Sequence, residues 1–228
     1  MSETNQQVPV IAIDGPSGSG KGTISQILAT KLGYHLLDSG ALYRLTALSI
    51  IEQGIDPEDT QAVANAALNL NVVFEPNPDG EQKVLLNGQD VGVKLRLDET
   101  SAMASKVAAI PEVREALLTR QRKFRQAPGL VADGRDMGTV VFTDADYKIF
   151  LTASPEIRAE RRHKQLIEKG VDANISHLLK SIIDRDERDR TRTVAPLVPA
   201  EGAFVIDSTQ LSIDEVVQQI LDFIGFSE

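Results

Sequence analysis

The chain has no cysteine and no tryptophan among its 228 residues, and aromatics make up only 4% of it. Without thiols it forms no disulfide, runs no thiol chemistry and builds no thiolate zinc site. With so few rings, its core must be aliphatic. The three histidines, His35, His163 and His177, are scattered, and no pair has metal-ligand spacing. There is no apolar run of about 18 residues, the length needed to span a bilayer. The opening MSETNQQ lacks the basic-then-apolar pattern of a signal peptide. A cytoplasmic protein with no membrane partner is expected. Positive charge is also short, with 24 basic against 33 acidic residues and a net charge of −9. That balance argues against non-specific binding to nucleic acid. An anionic ligand would need local cation clusters working against the overall field.

What is present points to an α/β protein. Hydrophobic residues at 42% and charged residues at 25% are ordinary for a globular chain. The stretch Val8–Thr23, VPVIAIDGPSGSGKGT, organises the rest. Apolar and β-branched residues to Ile13 predict a short buried strand, which breaks at Asp14-Gly15-Pro16 and enters a helical pattern after Gly20. Gly15 to Gly20-Lys21 has the spacing G-x-x-x-x-G-K of a phosphate-cradling loop. Glycines let successive N–H groups turn inward on an anion, the following helix N-terminus adds partial positive charge, and Lys21 adds a full one. Gly22 stands where Ser or Thr usually follows the lysine, with Thr23 one later. The K-G-T ending resembles that of nucleoside-monophosphate kinases more than that of GTPases.

Downstream, Ile24, Ile27, Leu28 and Leu32 mark a helix, His35–Leu37 a strand, and Ala41–Gln53 a second amphipathic helix. Asp56 reads as the N-cap of a third helix with Pro57 at its first position, running to about Leu68. Between Leu70 and Gly92 the pattern becomes short strands around a loop at Asn77–Gly80, with Asn87-Gly88 as a hairpin signal. This predicts a small antiparallel sheet inserted into a parallel core. Helices are expected from Asp98 as a cap to about Ala109, and from Pro111 to Phe124. Strands follow at Leu130–Asp133 and Tyr147–Thr152, then helices at Pro155–Lys169 and about Ser176–Arg190. A fifth strand at Ala203–Asp207 precedes a helix opened by the capping box Ser212–Glu215. Five parallel strands alternating with helices predict a doubly wound sheet.

The arginines hold the second signal. Arg44 lies one turn into the helix after Asp38-Ser39-Gly40, and Arg135 follows the third core strand. Arg185, Arg188, Asp189 and Arg192 fall at i, i+3, i+4 and i+7, one helix face. Interleaved with Asp184, Asp186 and Glu187, they could be a salt-bridged surface; three guanidiniums together also suit an anion between them, since arginine's fork matches phosphate oxygens in pairs. Asp133 ends a strand as a Walker B acid does, and also as ordinary strand-end aspartates do. These residues leave open several small-molecule kinases on one fold, for uridylate, adenylate or shikimate. A nucleotide-dependent switch is a rival of another class, but no guanine-reading N-K-x-D run occurs.

The chain resembles the bacterial cytidylate kinases of the long form over nearly its whole length. The resemblance rests on IDGPSGSGKGT (13–23), LLDSGALYR (36–44), VREALLTRQR (113–122), ADGRDMGTVVF (132–142), KIFLTAS (148–154), RDERDRTR (185–192) and APLVPA (195–200). It implies an α/β P-loop kinase fold: a five-stranded parallel sheet flanked by helices, a small inserted antiparallel sheet and a helical lid. One core would span residues 1–228, with an inserted monophosphate-binding subdomain at about 68–95 and a lid at about 170–195. The implied reaction, in pyrimidine nucleotide metabolism, moves the γ-phosphoryl group of ATP to CMP or dCMP, with Mg²⁺ accompanying ATP; a monomer is expected. By the same resemblance Gly15, Pro16, Ser17, Gly18, Ser19, Gly20, Lys21, Gly22 and Thr23 bind ATP. Ser39, Arg44, Arg135 and Arg192 bind the monophosphate, Ser105, Arg114 and Asp136 read cytosine, and Arg185 and Asp189 touch the ribose. Arg188 belongs to the lid; with Lys21, Arg135 and Arg192 it makes the expected catalytic set, and no side chain is assigned as a direct metal ligand.

Overall fold

The structure, a computed structural model, describes residues 7–75, 83–168 and 170–226. The chain forms two compact units, Met1–Asp38 with Gln121–Glu228, and Ser39–Arg120. In chain order the first elements are β1 (Val10–Asp14), α1 (Lys21–Leu32), β2 (His35–Asp38), α2 (Ser39–Gln53) and α3 (Thr60–Leu68). Next come β3 (Val72–Glu75), β4 (Lys83–Leu86), β5 (Gln89–Asp90), α4 (Asp98–Val107) and α5 (Pro111–Arg122). The chain finishes with β6 (Leu130–Gly134), β7 (Tyr147–Thr152), α6 (Pro155–Glu168), α7 (Ile175–Thr191), β8 (Phe204–Asp207) and α8 (Ile213–Phe223).

The first unit carries the predicted five-stranded sheet, ordered β2-β6-β1-β7-β8 with every neighbouring pair parallel. Successive residues of β1 and β6 are all buried, so both faces of these strands are covered, as a parallel sheet requires. One face packs an aliphatic core: Ile11 and Ile13 of β1 meet Ile24 and Leu28 of α1 and Val216 and Ile220 of α8. The α8 capping box forms as read from the sequence, Ser212 Oγ accepting the Glu215 N–H while Glu215 accepts the Ser212 N–H. Register puts Asp14, Asp133 and Asp38 together at the carboxyl ends of three adjacent strands, Ile13 facing Asp133 and Asp38 facing Asp133. Ligands of open α/β sheets bind at this edge.

The second unit carries the small antiparallel sheet, ordered β3-β4-β5. Asn87 (φ 51°) and Gly88 (φ 80°) both take left-handed conformations, the backbone that an Asn-Gly hairpin turn needs. The loop expected at Asn77–Gly80 lies outside the described residues.

Several element ends, and the exposure of one helix, differ from the sequence reading. Helix α3 starts three residues late: Asp56 accepts the Glu58 N–H in a turn, and Asp59 is the cap, accepting from Ala62 N at 3.0 Å. Leu97 is the N-cap of α4, so Asp98 is its first helical residue rather than its cap. Helix α2 is buried on nearly all sides instead of amphipathic: from Ser39 to Ile50 every residue but Gly40 and Arg44 is buried. Helix α7 is capped by Asn174 and ends at Thr191; Arg192 stands just past its end in an extended conformation (ψ 140°), not on the helix with Arg185, Arg188 and Asp189.

Candidate active site

Between β1 and α1 the chain builds the phosphate loop. A β-carbon on Gly15 would meet the Leu151 carbonyl oxygen at 2.0 Å, so only glycine lets the loop lie against β7. Gly20 is the N-cap of α1 in the left-handed region (φ 96°), and no side chain caps the helix among the described residues. The first-turn N–H groups thus face an anion site in need of an acceptor. Lys21 folds back into it, donating to the Pro16 carbonyl at 3.0 Å, with Asp133 Oδ1 at 3.9 Å. Burial, reinforced by Arg135 and Arg185, pulls the Lys21 ammonium down to about 7, against the raising effect of Asp133 and Asp38.

Behind the loop lies a second layer. Arg158 of α6 donates to the Ser17 carbonyl at 3.0 Å, and Arg161 to the Ser19 carbonyl at 3.3 Å. Ser208, after β8, also donates to the Ser19 carbonyl, at 3.2 Å. These side chains clamp carbonyl oxygens, the groups an anion avoids.

Beside the loop, Asp14 is buried at the end of β1 and accepts the backbone N–H groups of Met137 and Gly138, both at 2.8 Å. Burial pushes its carboxyl up to about 7, partly offset by those two donors. Asp14 therefore fixes the start of the turn Met137–Val141, and with it the preceding Arg135 and Asp136. Arg135 Nε donates to Asp189 Oδ2 at 3.0 Å, and Arg192 Nη1 lies 3.9 Å from Asp189 Oδ1. Burial alone would raise Asp189, but Arg135, Arg185 and Arg192 outweigh it and hold the carboxyl below the ordinary range.

The structure thus joins Lys21, Asp133, Arg135, Arg185, Asp189 and Arg192 into one electrostatic group in the first unit. Arg188 is apart from it in exposure, its side chain open to solvent, while Asp136 is buried. In the second unit Ser39 opens α2 and is buried, Arg44 is half-buried, and Ser105 is buried on α4. Arg114 of α5 donates to the Ala108 carbonyl at 2.9 Å and lies over the Tyr43 ring, 5.6 Å from its centroid. Sequence reasoning missed Asp14, Arg158, Arg161, Asp186 and Ser208. Asp14 could have been suspected from its place at a strand end beside a glycine loop; the others gave no local sign.

A parallel sheet with this loop at its carboxyl edge, a buried lysine and a bank of arginines defines a phosphate-loop phosphotransferase of the small-molecule kinase class. A solved structure, an uncharacterized protein from Eubacterium ventriosum, shares the fold at TM-score 0.50 and 13% identity, covering 95% of this chain and 98% of its own. The family profile described as cytidylate kinase matches residues 11–225. A cytidylate kinase of Colwellia psychrerythraea is 58% identical over 218 residues, 96% of each chain. One from Aliivibrio salmonicida is 59% identical over 216 residues, 95% of this chain and 96% of its own. The chain belongs to the cytidylate kinase family.

Proposed function

We infer that the protein transfers the γ-phosphoryl group of ATP to CMP or dCMP, giving ADP and CDP or dCDP. The observation that carries this reading, with family membership, is the group linking Lys21 at the phosphate loop to Arg135, Asp189 and Arg192. Gly15 to Thr23 hold the ATP phosphates, and Arg135 and Arg192 with Ser39 and Arg44 hold the acceptor phosphate. An inserted monophosphate-binding subdomain at about 68–95 and a lid at about 170–195, which carries Arg188, belong to the same reading.

The reaction needs little covalent chemistry from the protein. The attacking group is a phosphate oxygen, largely dianionic at pH 7 because its second pKa is about 6, so no general base is required. Two polyanions must be brought in line and the charge on the moving phosphoryl group stabilised. Lys21 and the arginines do both. In cytosine the exocyclic amine is a donor, which the buried Asp136 carboxylate accepts along with contacts from Ser105 and Arg114. Uracil presents a carbonyl there and leaves buried polar groups mismatched.

Magnesium fits this site as a companion of ATP. Among the described residues no three carboxylates or histidines form a cage for a metal. Asp133 at the loop would hold the ion through water, and a β-carbon at Gly22 would already come within 3.4 Å of Asp133 Oδ2. When bound, the ion neutralises charge on the phosphates. The substrates are intracellular metabolites, which supports placing the protein in the cytoplasm. A coupled ADP-release assay with CMP, dCMP, UMP and AMP tests the function: CMP and dCMP are expected to support the fastest turnover, and a preference for AMP or UMP would refute it.

A further inference from the structure

Helix α7 sends two buried carboxylates into its unit, one turn apart. Asp189 takes Arg135. Asp186 takes Arg158, a side chain 1% exposed. The Arg158 guanidinium is spent on three elements at once. Its Nε donates to the Ala153 carbonyl at 2.9 Å; its Nη1 donates to the Ser17 carbonyl at 3.0 Å and to Asp186 Oδ1 at 3.0 Å; its Nη2 completes a bidentate fork on Asp186. The loop also packs directly on α6, since a β-carbon at Gly18 would sit 3.2 Å from Arg158 Cβ. One guanidinium therefore ties a carbonyl of the phosphate loop to the helix that carries Arg185 and Asp189.

We propose that Arg158 and Asp186 are positioning residues that set the phosphate loop and α7 in one frame, so that donor phosphates and acceptor cations stay aligned. The proposal rests on the reading of Asp189 and Arg192 as acceptor residues. Neither member of the pair needs to touch a nucleotide. Arg158 binds the carbonyl side of the loop, and Asp186 lies under the guanidinium. A flexible lysine could not make the same link, because the forked contact to Asp186 and the reach to Ser17 come from one planar group. In-line transfer is sensitive to such a frame, since misplacement by about 1 Å costs roughly 100-fold in rate.

The test uses the full chain carrying Asp186→Asn or Arg158→Lys, with kcat for CMP phosphorylation, Kd for CMP alone, Kd for a non-hydrolysable ATP analogue alone, and melting temperature. The expected result is a fall in kcat of roughly 10–100-fold, with each single-ligand Kd within about threefold of wild type and the conservative Asp186→Glu variant regaining part of the rate. A folded variant with wild-type kcat overturns the proposal, as does a rate loss wholly explained by weaker binding of one nucleotide. If both variants fail to fold, the pair is a stability brace and the proposal is rejected. Absence of CDP formation by the wild-type protein would instead refute the functional reading on which the proposal stands.

Discussion

Lys21 offers a direct electrical test of the phosphate loop. In the ligand-free protein its ammonium is buried and drawn down to about 7, first by burial and then by Arg135 and Arg185. Most molecules then carry the ammonium at pH 6 and the neutral amine at pH 8. MgATP brings anionic oxygens to the same spot, and an opposite charge favours the protonated form. Binding should therefore take up more protons at pH 8 than at pH 6, and affinity should weaken as pH rises through about 7. Titration calorimetry in two buffers of different ionisation enthalpy, without CMP, reads the proton count. Lys21→Arg cannot titrate in this range and should bind MgATP with no uptake at either pH. Equal uptake at pH 6 and pH 8, or uptake retained in Lys21→Arg, would refute the argument.

Three further outcomes follow from other parts of the site. Asp136→Ala should lower kcat/KM for CMP by roughly 10–100-fold, equivalent to leaving a buried polar group unpaired, and affect UMP far less; equal losses on both would remove Asp136 from base reading. Asp14→Asn replaces one of two acceptors by a donor and should cost about 1–3 kcal/mol in urea unfolding. Because the Asp14 carboxyl is raised from 3.8 to about 7 in the folded protein, it binds protons there that the unfolded chain has released, so wild-type stability should fall as pH rises from 4 to 7 and this slope should weaken in Asp14→Asn. Gly15→Ala forces a β-carbon toward the Leu151 carbonyl and should destabilise the fold by about 1–3 kcal/mol while weakening ATP binding, seen by thermal melting and by calorimetry.

The sheet and the loop were legible because their signals are local. Apolar runs bounded by glycine, the G-K spacing, Asn87-Gly88 and Ser212–Glu215 each declare themselves within a few residues. Competing local signals misled the reading of α3: Asp56-Pro57 looks like a cap with a helix start, yet Asp56 spends its side chain on a turn and Asp59 does the capping. What could not be read were pairings across the chain. Asp14 meets backbone groups more than a hundred residues away, and its partners are N–H groups that carry no residue signature. Arg158 and Asp186 sit on two helices whose charged composition reads as solvated, and only the packing of α6 on α7 turns them inward. Arg192 fits the helical spacing of its neighbours, but the helix ends one residue earlier.

The claim that donor and acceptor phosphates meet in this site is tested most directly by following the phosphoryl group itself. ATP labelled at its γ-phosphate is incubated with the protein and CMP, and the products are separated by chromatography. The account predicts label in CDP, dependent on CMP and lost in Arg135→Ala. Label released as free phosphate, or CDP formation undiminished in that variant, would contradict it.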